Sequence, residues 1–324
     1  MEPLILAEFS APGHKTLPEL CRNLWEEQIR NWPELARAHS ALARAQTRSV
    51  ACGAYEVVLQ FNPARVKSSG AAVDKKSVSS RPCFLCPAHF PAGQKGILYC
   101  DDFFILCNPA PVLTRHFTVV HRQHVPQNIQ SSFTSLLKLT GDLAPRYTLL
   151  YNGPACGASA PDHLHFQAVP SAVLPLEQSF AASFAKIKDG SVNLYRAQQT
   201  DRSIIALRGT KSKSLLKYFH LLMKSWQKIN PGENEPKVNV LCSYEDGTWQ
   251  IIVFLRALHR PAAFFAANEQ RIFVSPGALD MAGLMITPFF ADFQNLTADQ
   301  IRGIYREVSA TKEDLNLLIN ELKG

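Results

Sequence analysis

The chain has 324 residues, of which 46% are hydrophobic and 19% are charged. These proportions exclude global disorder, and the length allows roughly two domains with a large core. The formal net charge of +7 favours anionic ligands such as phosphates, but the basic residues are scattered, so no nucleic-acid partner is predicted. No stretch approaches the ~18 apolar residues of a membrane span, so no membrane partner is expected.

The start of the chain and its cysteines bear on cellular location. Met1 to Phe9 is apolar but has neither a basic leader nor a cleavage site, so we expect no signal peptide. Eight cysteines in a chain of this length do not make a disulfide framework. We therefore expect a reducing, cytoplasmic location.

The first predicted elements are a helical segment and a strand. Residues 16–48 keep helical spacing of their leucines, which predicts a long helix or a helix pair that breaks at Pro33. Residues 55–61 alternate and are rich in valine, which predicts a strand. The polar stretch 62–80 is either a loop over a ligand or a mobile connection.

The middle of the chain predicts an antiparallel sheet with a helix laid across it. Strands are expected over 96–107, 116–121 and 147–152, with a helix over 128–140. A loop of small residues, 153–159, then leads into a strand that carries two histidines.

The second half of the chain resembles a degenerate copy of this arrangement of strands and helices. We expect a helix over 215–229, strands over 238–243, 248–255 and 271–275, and closing helices over 298–308 and 312–322. The predicted organisation is therefore a helical segment (1–50), a catalytic half (51–185) and a C-terminal half (186–324).

The strongest chemical signal is the run His163-Leu164-His165-Phe166-Gln167. On a strand, the two histidines and the glutamine share one face, and Leu164 and Phe166 point into the core. Two imidazoles and a carboxamide suit phosphoryl or nucleotidyl transfer. One histidine attacks phosphorus, the second histidine orients the first or binds metal, and the amide holds a phosphoryl oxygen. The alternative is a pair of structural histidines on a half-exposed strand.

Cys83-Phe84-Leu85-Cys86 is compatible with a redox pair, a metal site or two buried core thiols. A redox motif would open a helix after a strand, whereas here Pro87 follows directly. Zinc needs about four ligands, so two histidines must join the cysteines. Among several candidates we favour His124 and His163, which predicts a structural zinc site that clamps the cysteine loop to the histidine strand.

The loop 152–159 fits a phosphate cradle, because glycines let backbone N–H groups approach an anion closely. Ser159 adds a hydroxyl that could donate to the same anion. An ordinary turn is the alternative, and the adjacent histidine run favours the phosphate cradle.

Together these residues resemble the histidine-triad (HIT) superfamily. Tyr151-Asn152-Gly153, Gly157-Ala158-Ser159 and the five-residue histidine run carry the resemblance. The chain has glutamine in the third position of the motif, and in this it resembles one nucleotidyltransferase branch of the superfamily. That branch includes GDP-L-galactose phosphorylase, diadenosine tetraphosphate phosphorylase and galactose-1-phosphate uridylyltransferase. Upstream, Asn108, Pro111, His116 and His124 follow the order of the HIT segment, and the cysteine pair resembles the zinc-binding pair of the uridylyltransferase.

The resemblance implies an α+β fold, with a HIT-like antiparallel sheet, helices on one face and two similar halves packed together. It implies a nucleotidyl-histidine intermediate that passes NMP from an NDP-sugar or a dinucleoside polyphosphate to phosphate or a phosphorylated acceptor. Structural zinc on Cys83, Cys86, His124 and His163 is implied as well, in a monomer or homodimer. A catalytically weak nucleotide-binding protein of the same fold is the alternative.

The resemblance also implies roles for single residues. His165 is the expected nucleophile, a backbone carbonyl near His163 sets its tautomer, and Gln167 donates to a phosphoryl oxygen. Because glutamine cannot titrate, water receives little help and transfer is favoured over hydrolysis. The expected substrate contacts are Asn108 with the ribose, Asn152, Gly157 and Ser159 around the phosphates, and Arg65 and Lys67 with a further phosphate.

Overall fold

The computed structural model describes residues 4–11, 13–231 and 235–323; the first three residues of the start that we examined for a signal peptide lie outside it. The strands are β1 (Leu4–Phe9), β2 (Thr47–Ala51), β3 (Glu56–Phe61), β4 (Lys95–Tyr99), β5 (Phe103–Cys107), β6 (Phe117–His121), β7 (Tyr147–Asn152), β8 (His165–Pro170), β9 (Phe184–Lys188), β10 (Asn193–Ala197), β11 (Ile204–Gly209), β12 (Val238–Glu245), β13 (Thr248–Leu255) and β14 (Leu284–Thr287).

Helices connect and cover these strands. They are α1 (Leu17–Asn31), α2 (Pro33–Leu42), α3 (Val66–Ser69), α4 (Lys75–Ser79), α5 (Ile129–Leu143), α6 (Pro175–Gln178), α7 (Phe180–Ser183), α8 (Ser212–Ile229), α9 (Ala262–Phe265), α10 (Ala278–Met281), α11 (Phe290–Asn295), α12 (Ala298–Val308) and α13 (Lys312–Lys323). Within the described residues, none of them combines the length and apolar character that a membrane crossing needs.

One large sheet runs through both halves of the chain. Its strand order is β1-β4-β5-β6-β8-β7-β12-β13-β11-β10-β9. The halves meet where β7 pairs antiparallel with β12, with Asn152 opposite Asn239. The strands β14, β3 and β2 form a second, smaller sheet in that order, which shares no strand pairing with the large one.

The two faces of the large sheet differ in what covers them. On one face, Leu164 and Phe166 pack in a core with α1, α5, α8 and α13, and the rings of Phe133 and Phe219 stack 3.7 Å apart. The other face carries His165 and Gln167. Over the second half of the sheet, that face is covered by the smaller sheet together with α10 and α12.

The α+β class is confirmed, with differences in its details. The sheet is mixed rather than wholly antiparallel, because β1 runs parallel to β4, and in the smaller sheet β14 runs parallel to β3. Helices lie on both faces and not only on one. The second face of the β11–β13 region is apolar, and helices of the second half cover it. The segment 1–50 contains β1 and the start of β2 as well as its helices.

Individual elements also differ from expectation. The helix pair breaks at Pro33 as predicted, but its second helix ends at Leu42. The stretch 62–80 holds the short helices α3 and α4. The prediction of a strand over 271–275 is wrong, because this segment pairs with no strand among the described residues and the Val274 N–H donates to the Ile272 carbonyl at 2.9 Å, which makes a tight turn. Phe273 and Val274 are both buried, so the burial does not alternate.

Candidate active site

His165 opens β8 and is held there by the side chain of Gln127. The Gln127 carboxamide accepts from the His165 N–H at 2.8 Å and donates to its carbonyl at 3.0 Å. The ring Nδ1 lies 2.8 Å from the His163 carbonyl, which can only accept, so Nδ1 carries the proton and Nε2 keeps its lone pair. The side chain is 5% exposed, and this burial lowers the pKa of His165 to about 4, so the imidazole is neutral at physiological pH.

Two buried hydrogen bonds of His116 fix the orientation of the Gln167 carboxamide. The Val112 N–H donates to His116 Nδ1 at 3.2 Å, so the His116 proton sits on Nε2, which donates to Gln167 Oε1 at 2.7 Å. Burial, with a smaller effect of the Arg65 charge, lowers the pKa of His116 to about 3 and keeps the ring neutral. The Gln167 oxygen is thereby engaged, and its NH₂ group is left as the donor for a ligand.

The sequence analysis did not foresee this role of His116. Thr118 on β6 lies opposite Gln167 on β8, and His116 is two residues before Thr118, so both side chains reach the same face. The signal is therefore the register between two strands that lie about fifty residues apart along the chain, which a single sequence does not reveal.

Two cavities meet at Gln167. The apolar cavity, of about 410 Å³, is bounded by Leu106, Phe84, Phe90 and His165. The polar cavity, of about 50 Å³, is bounded by Asn152, His259, Arg260 and Asp280. Arg65, Ser159 and Gln167 line both cavities, so a ligand that occupied them together would pass the carboxamide.

The structure brings all six sequence-predicted substrate residues to these cavities. Asn108 and Lys67 line the apolar cavity, Asn152 and Gly157 line the polar cavity, and Arg65 and Ser159 line both. The Asn152 Oδ1 is already engaged, because it accepts from Asn239 Nδ2 at 2.9 Å and from the Ala278 N–H at 2.7 Å.

Gly157 is required by close packing between the halves. Its φ is +95°, and a Cβ at this position would lie 2.9 Å from the Gly277 Cα. A side chain here would be strained by the backbone conformation and would push the loop 153–159 away from the second half. The two glycines therefore let two backbones form adjacent walls of the polar cavity.

Two residues that line the polar cavity have a side-chain nitrogen that is unpaired among the described residues. Arg65 Nε and His259 Nε2 are buried without a hydrogen-bond partner in the part of the chain that the structure describes. Buried polar atoms without partners are destabilising, which indicates that a ligand or solvent group completes them. On the opposite wall, burial raises the pKa of the Asp280 carboxyl to about 6, although the Gly277 and Ile286 N–H groups bind it.

Cys83, Cys86, His124 and His163 form a cluster that could hold a metal ion. Their ligand atoms lie within 4.8 Å of one another. A tetrahedral zinc ion at ordinary bond lengths separates sulfur from nitrogen by about 3.5 Å, and the observed Sγ···Nδ1 distances are 3.2 to 3.6 Å.

Outer contacts orient both imidazoles of this cluster. The His163 Nε2 lies 2.8 Å from the His121 carbonyl, and the His124 Nε2 lies 3.5 Å from Asp162 Oδ2. The His163 contact places the proton on Nε2 and leaves the Nδ1 lone pair for the cysteine side, and Asp162 is an acidic neighbour of His124 Nε2. Such outer partners are typical of metal-ligating histidines. The four side chains therefore suit zinc as ligands.

Comparison with known proteins supports the same architecture. The sequence model of a domain of unknown function, DUF4922, matches residues 24–170. No curated protein matches the chain. The structure is similar to that of yeast Ap4A phosphorylase Apa2, with a TM-score of 0.59 at 16% identity over 91% of this chain and 95% of that chain.

Two complexes of the same yeast enzyme are also similar. Apa2 in complex with AMP gives a TM-score of 0.55 at 14% identity, over 88% of this chain and 96% of that chain. Apa2 in complex with Ap4A gives 0.53 at 15% identity, over 88% and 97%. At these identities the likeness establishes a shared fold.

Proposed function

We propose that this chain is a nucleotidyltransferase or phosphorylase that carries a nucleotidyl group on His165. The observation that carries the proposal is the tautomer of this histidine: the His163 carbonyl holds the proton on Nδ1, which leaves Nε2 as the basic nitrogen of a side chain that lines a cavity. The shared fold with Apa2, whose structures contain AMP and Ap4A, supports a nucleotide substrate.

The reaction proceeds in two displacements on the α-phosphorus. His165 Nε2 attacks, a P–N bond forms, and the bond to the leaving phosphate or sugar phosphate breaks with its electron pair on the departing oxygen. An oxygen of the acceptor phosphate then attacks the same phosphorus, and the P–N bond breaks to restore the imidazole. Gln167 donates from its NH₂ group to a nonbridging oxygen in both steps, since its Oε1 is held by His116.

The two cavities divide the substrate between them. The apolar cavity takes the base, with Asn108 beside the ribose, and the wall made by Asn152, Gly157 and Ser159 takes the phosphates. Arg65 and Lys67 bind the further phosphate of an NDP-sugar, a dinucleoside polyphosphate or the acceptor. His259 and Arg260 complete that subsite, because both line the polar cavity together with Arg65, and the Arg65 Nε and His259 Nε2 atoms are buried without a partner among the described residues.

We also propose that Cys83, Cys86, His124 and His163 hold zinc. Zinc bound there supplies a structural cross-link between the cysteine loop and the residue that orients His165. Cys83→Ser should lower the zinc content by about one equivalent, whereas Cys100→Ser, outside the cluster, should retain it. Unchanged metal content in Cys83→Ser would exclude this ligand set.

Two further features belong to the proposal. The segments 51–185 and 186–324 act as a catalytic half and a second half, with the segment 1–50 packed against the first. Transfer exceeds hydrolysis, because Gln167 cannot accept a proton from an attacking water.

The test is covalent labelling of the intact protein. ADP-, GDP- and UDP-glucose and diadenosine tetraphosphate, each radiolabelled at the α-phosphate, are incubated with the wild type, His165→Ala and the control His220→Ala. We expect acid-labile protein label in the wild type and the control, its release by inorganic phosphate, and none in His165→Ala. Binding without label or turnover across the panel would instead assign a nucleotide-binding protein.

A further inference from the structure

The segment that carries two of the metal ligands also forms a wall of the apolar cavity. Cys83 and Cys86 belong to the metal cluster, and the two residues between them, Phe84 and Leu85, line the cavity that His165 also lines. Leu85 is buried against the sheet, whereas Phe84 is 46% exposed. A large exposed aromatic side chain on an apolar cavity wall is suited to stack on a planar ligand.

The position of Phe84 depends on a few named contacts. The Arg81 guanidinium lies 5.0 Å from the Phe84 ring centroid and donates to the Ser159 carbonyl at 2.9 Å. The residues 83–89 form turns rather than strand pairs, with the Cys86 N–H donating to the Cys83 carbonyl at 3.1 Å. The loop is also held by the burial of Leu85, by His89 Nδ1 at 2.9 Å from the Cys83 carbonyl, and by the contacts of the Cys83 and Cys86 sulfurs with His163 and His124.

We propose that Phe84 is a base-stacking residue, and that metal binding at the four-residue cluster and nucleobase binding in the apolar cavity are thermodynamically linked through the loop 83–86. The inference rests on the proposed nucleotide substrate and on the proposed metal site. Linkage is reciprocal, so a metal that fixes the loop strengthens base binding, and a bound base strengthens metal binding by the same factor. A ligand that has the ribose phosphate but no base gains nothing from the metal.

The test measures binding, not turnover. AMP, GMP, UMP and ribose 5-phosphate are titrated calorimetrically into zinc-loaded and chelator-treated protein, as the wild type, Phe84→Ala and Phe265→Ala. Phe265 is a matched control, because it is exposed and lines neither cavity. Zinc affinity is measured by competition with a chromophoric chelator, with and without the tightest of the three nucleotides.

We expect at least one nucleotide to bind wild type about tenfold more tightly in the zinc-loaded form and to raise zinc affinity by the same factor. Ribose 5-phosphate should bind both forms equally. Phe84→Ala should retain zinc, bind the nucleotide about tenfold more weakly than wild type in the zinc-loaded form, and lose the effect of nucleotide on zinc affinity. Phe265→Ala should behave as wild type.

Equal nucleotide affinity with and without zinc, or wild-type nucleotide affinity in zinc-loaded Phe84→Ala, would overturn this inference and leave the proposed function standing. Binding of none of the nucleotides to any form would overturn both. If circular dichroism finds the zinc-free protein unfolded, the zinc-loaded comparison of Phe84→Ala with wild type and the chelator competition decide the question.

Discussion

Gln167 is held by a neighbour that stays neutral, and its own amide does not titrate, so Gln167 cannot accept a proton from an attacking water. His116 donates to the Gln167 oxygen, and burial lowers the pKa of His116 far below neutrality. In the reaction that we propose, the imidazole of His165 is bonded to phosphorus in the intermediate, so the side chain at position 167 decides whether water or a phosphate acceptor reacts next.

We predict that Gln167→His shifts the protein from transfer towards hydrolysis. A histidine at this position can exchange a proton with water, which typically contributes on the order of a hundredfold to a rate. The measurement is the ratio of free NMP to transferred nucleotide when labelled ADP-, GDP- or UDP-glucose is supplied with inorganic phosphate. Gln167→Asn is the control, since its amide does not titrate, and an unchanged ratio in Gln167→His would contradict the argument.

Glu235 is a buried carboxyl with neutral partners. Its Oε1 accepts from the Tyr151 hydroxyl at 2.8 Å and from the Ile129 N–H at 3.2 Å, but burial outweighs these bonds and raises the pKa of Glu235 from 4.5 to about 7. Between those two values the folded protein holds a proton that the unfolded chain releases. The stability of the fold therefore falls as pH rises from 4.5 towards 7.

We predict that Glu235→Gln removes this pH dependence. The amide imitates the protonated acid, so the variant should match wild type near pH 4.5 and exceed it above pH 7 by on the order of 3 kcal/mol in the free energy of unfolding. Urea unfolding across this range measures the difference. The exposed Glu245→Gln should give a difference near zero at every pH, and a difference for Glu235→Gln that did not change with pH would contradict the assignment.

At the scale of elements, the short helix α3 (Val66–Ser69) is fastened to the second half by one arginine. Arg260 Nη2 donates to the Ser69 and Ala71 carbonyls, both at 2.9 Å, while its Nε donates to Ser275 Oγ at 2.8 Å. Ser68 and Ala71 line both cavities, so this arginine holds one part of the wall, residues 69–71, against another part at Ser275.

We predict that Arg260→Ala loosens the segment 66–71 without unfolding the protein. Hydrogen exchange of its backbone amides should accelerate by about tenfold or more, because local opening no longer breaks two charge-assisted bonds. Arg271→Ala is a matched control, since Arg271 donates to the Phe264 carbonyl and not to this segment. Equal exchange of residues 66–71 in both variants would show that Arg260 does not hold them.

Elements with a strong local pattern were predictable, and those that depend on distant partners were not. Residues 147–152 were predicted as a strand to the residue, and 298–308 as a helix whose Thr297 cap accepts from the Gln300 N–H. β1 had no local signal, because its parallel partner β4 lies about ninety residues away. Residues 271–275 have strand-like composition but follow the cavity wall, where Ser275 binds Arg260.

At the scale of the whole molecule, buried hydrogen bonds among Asn152, Asn239 and Arg256 join the two halves of the chain, and we call this group the polar seam. The Asn239 carboxamide donates to Asn152 Oδ1 at 2.9 Å and to the Cys156 carbonyl at 2.6 Å, and its oxygen accepts from Arg256 Nη1 at 2.5 Å. Arg256 is fully buried and is otherwise bound by carbonyls, including that of Pro276 at 2.8 Å. Each group in this seam depends on the others for its hydrogen bonds.

We predict that Asn239→Ala destabilises the entire chain in one step. The change leaves a buried guanidinium and two buried acceptors with fewer partners, so the free energy of unfolding should fall by about 3 kcal/mol. Urea unfolding followed by tryptophan fluorescence and by far-ultraviolet circular dichroism should shift together as a single transition. Asn316→Ala, at an exposed contact with Arg196, should change stability by no more than about 0.5 kcal/mol.

Two separated unfolding transitions in Asn239→Ala would contradict this picture and would mean that the halves fold independently. The sequence analysis predicted that the cysteine loop meets the histidine strand, because both lie in short motifs, and it named the substrate residues from the family resemblance. It did not foresee the Asn152–Asn239–Arg256 seam, since that arrangement depends on the pairing of β7 with β12, whose sequence separation is large.

The unbroken pairing of β8, β7 and β12 has a consequence for which ligands can react. Among the described residues these strands pair without a break, and they link the wall beside His165 to the wall beside Asn152. For the transfer that we propose, this arrangement favours a substrate whose anionic chain spans the distance from His165 to the polar cavity over shorter or longer ones.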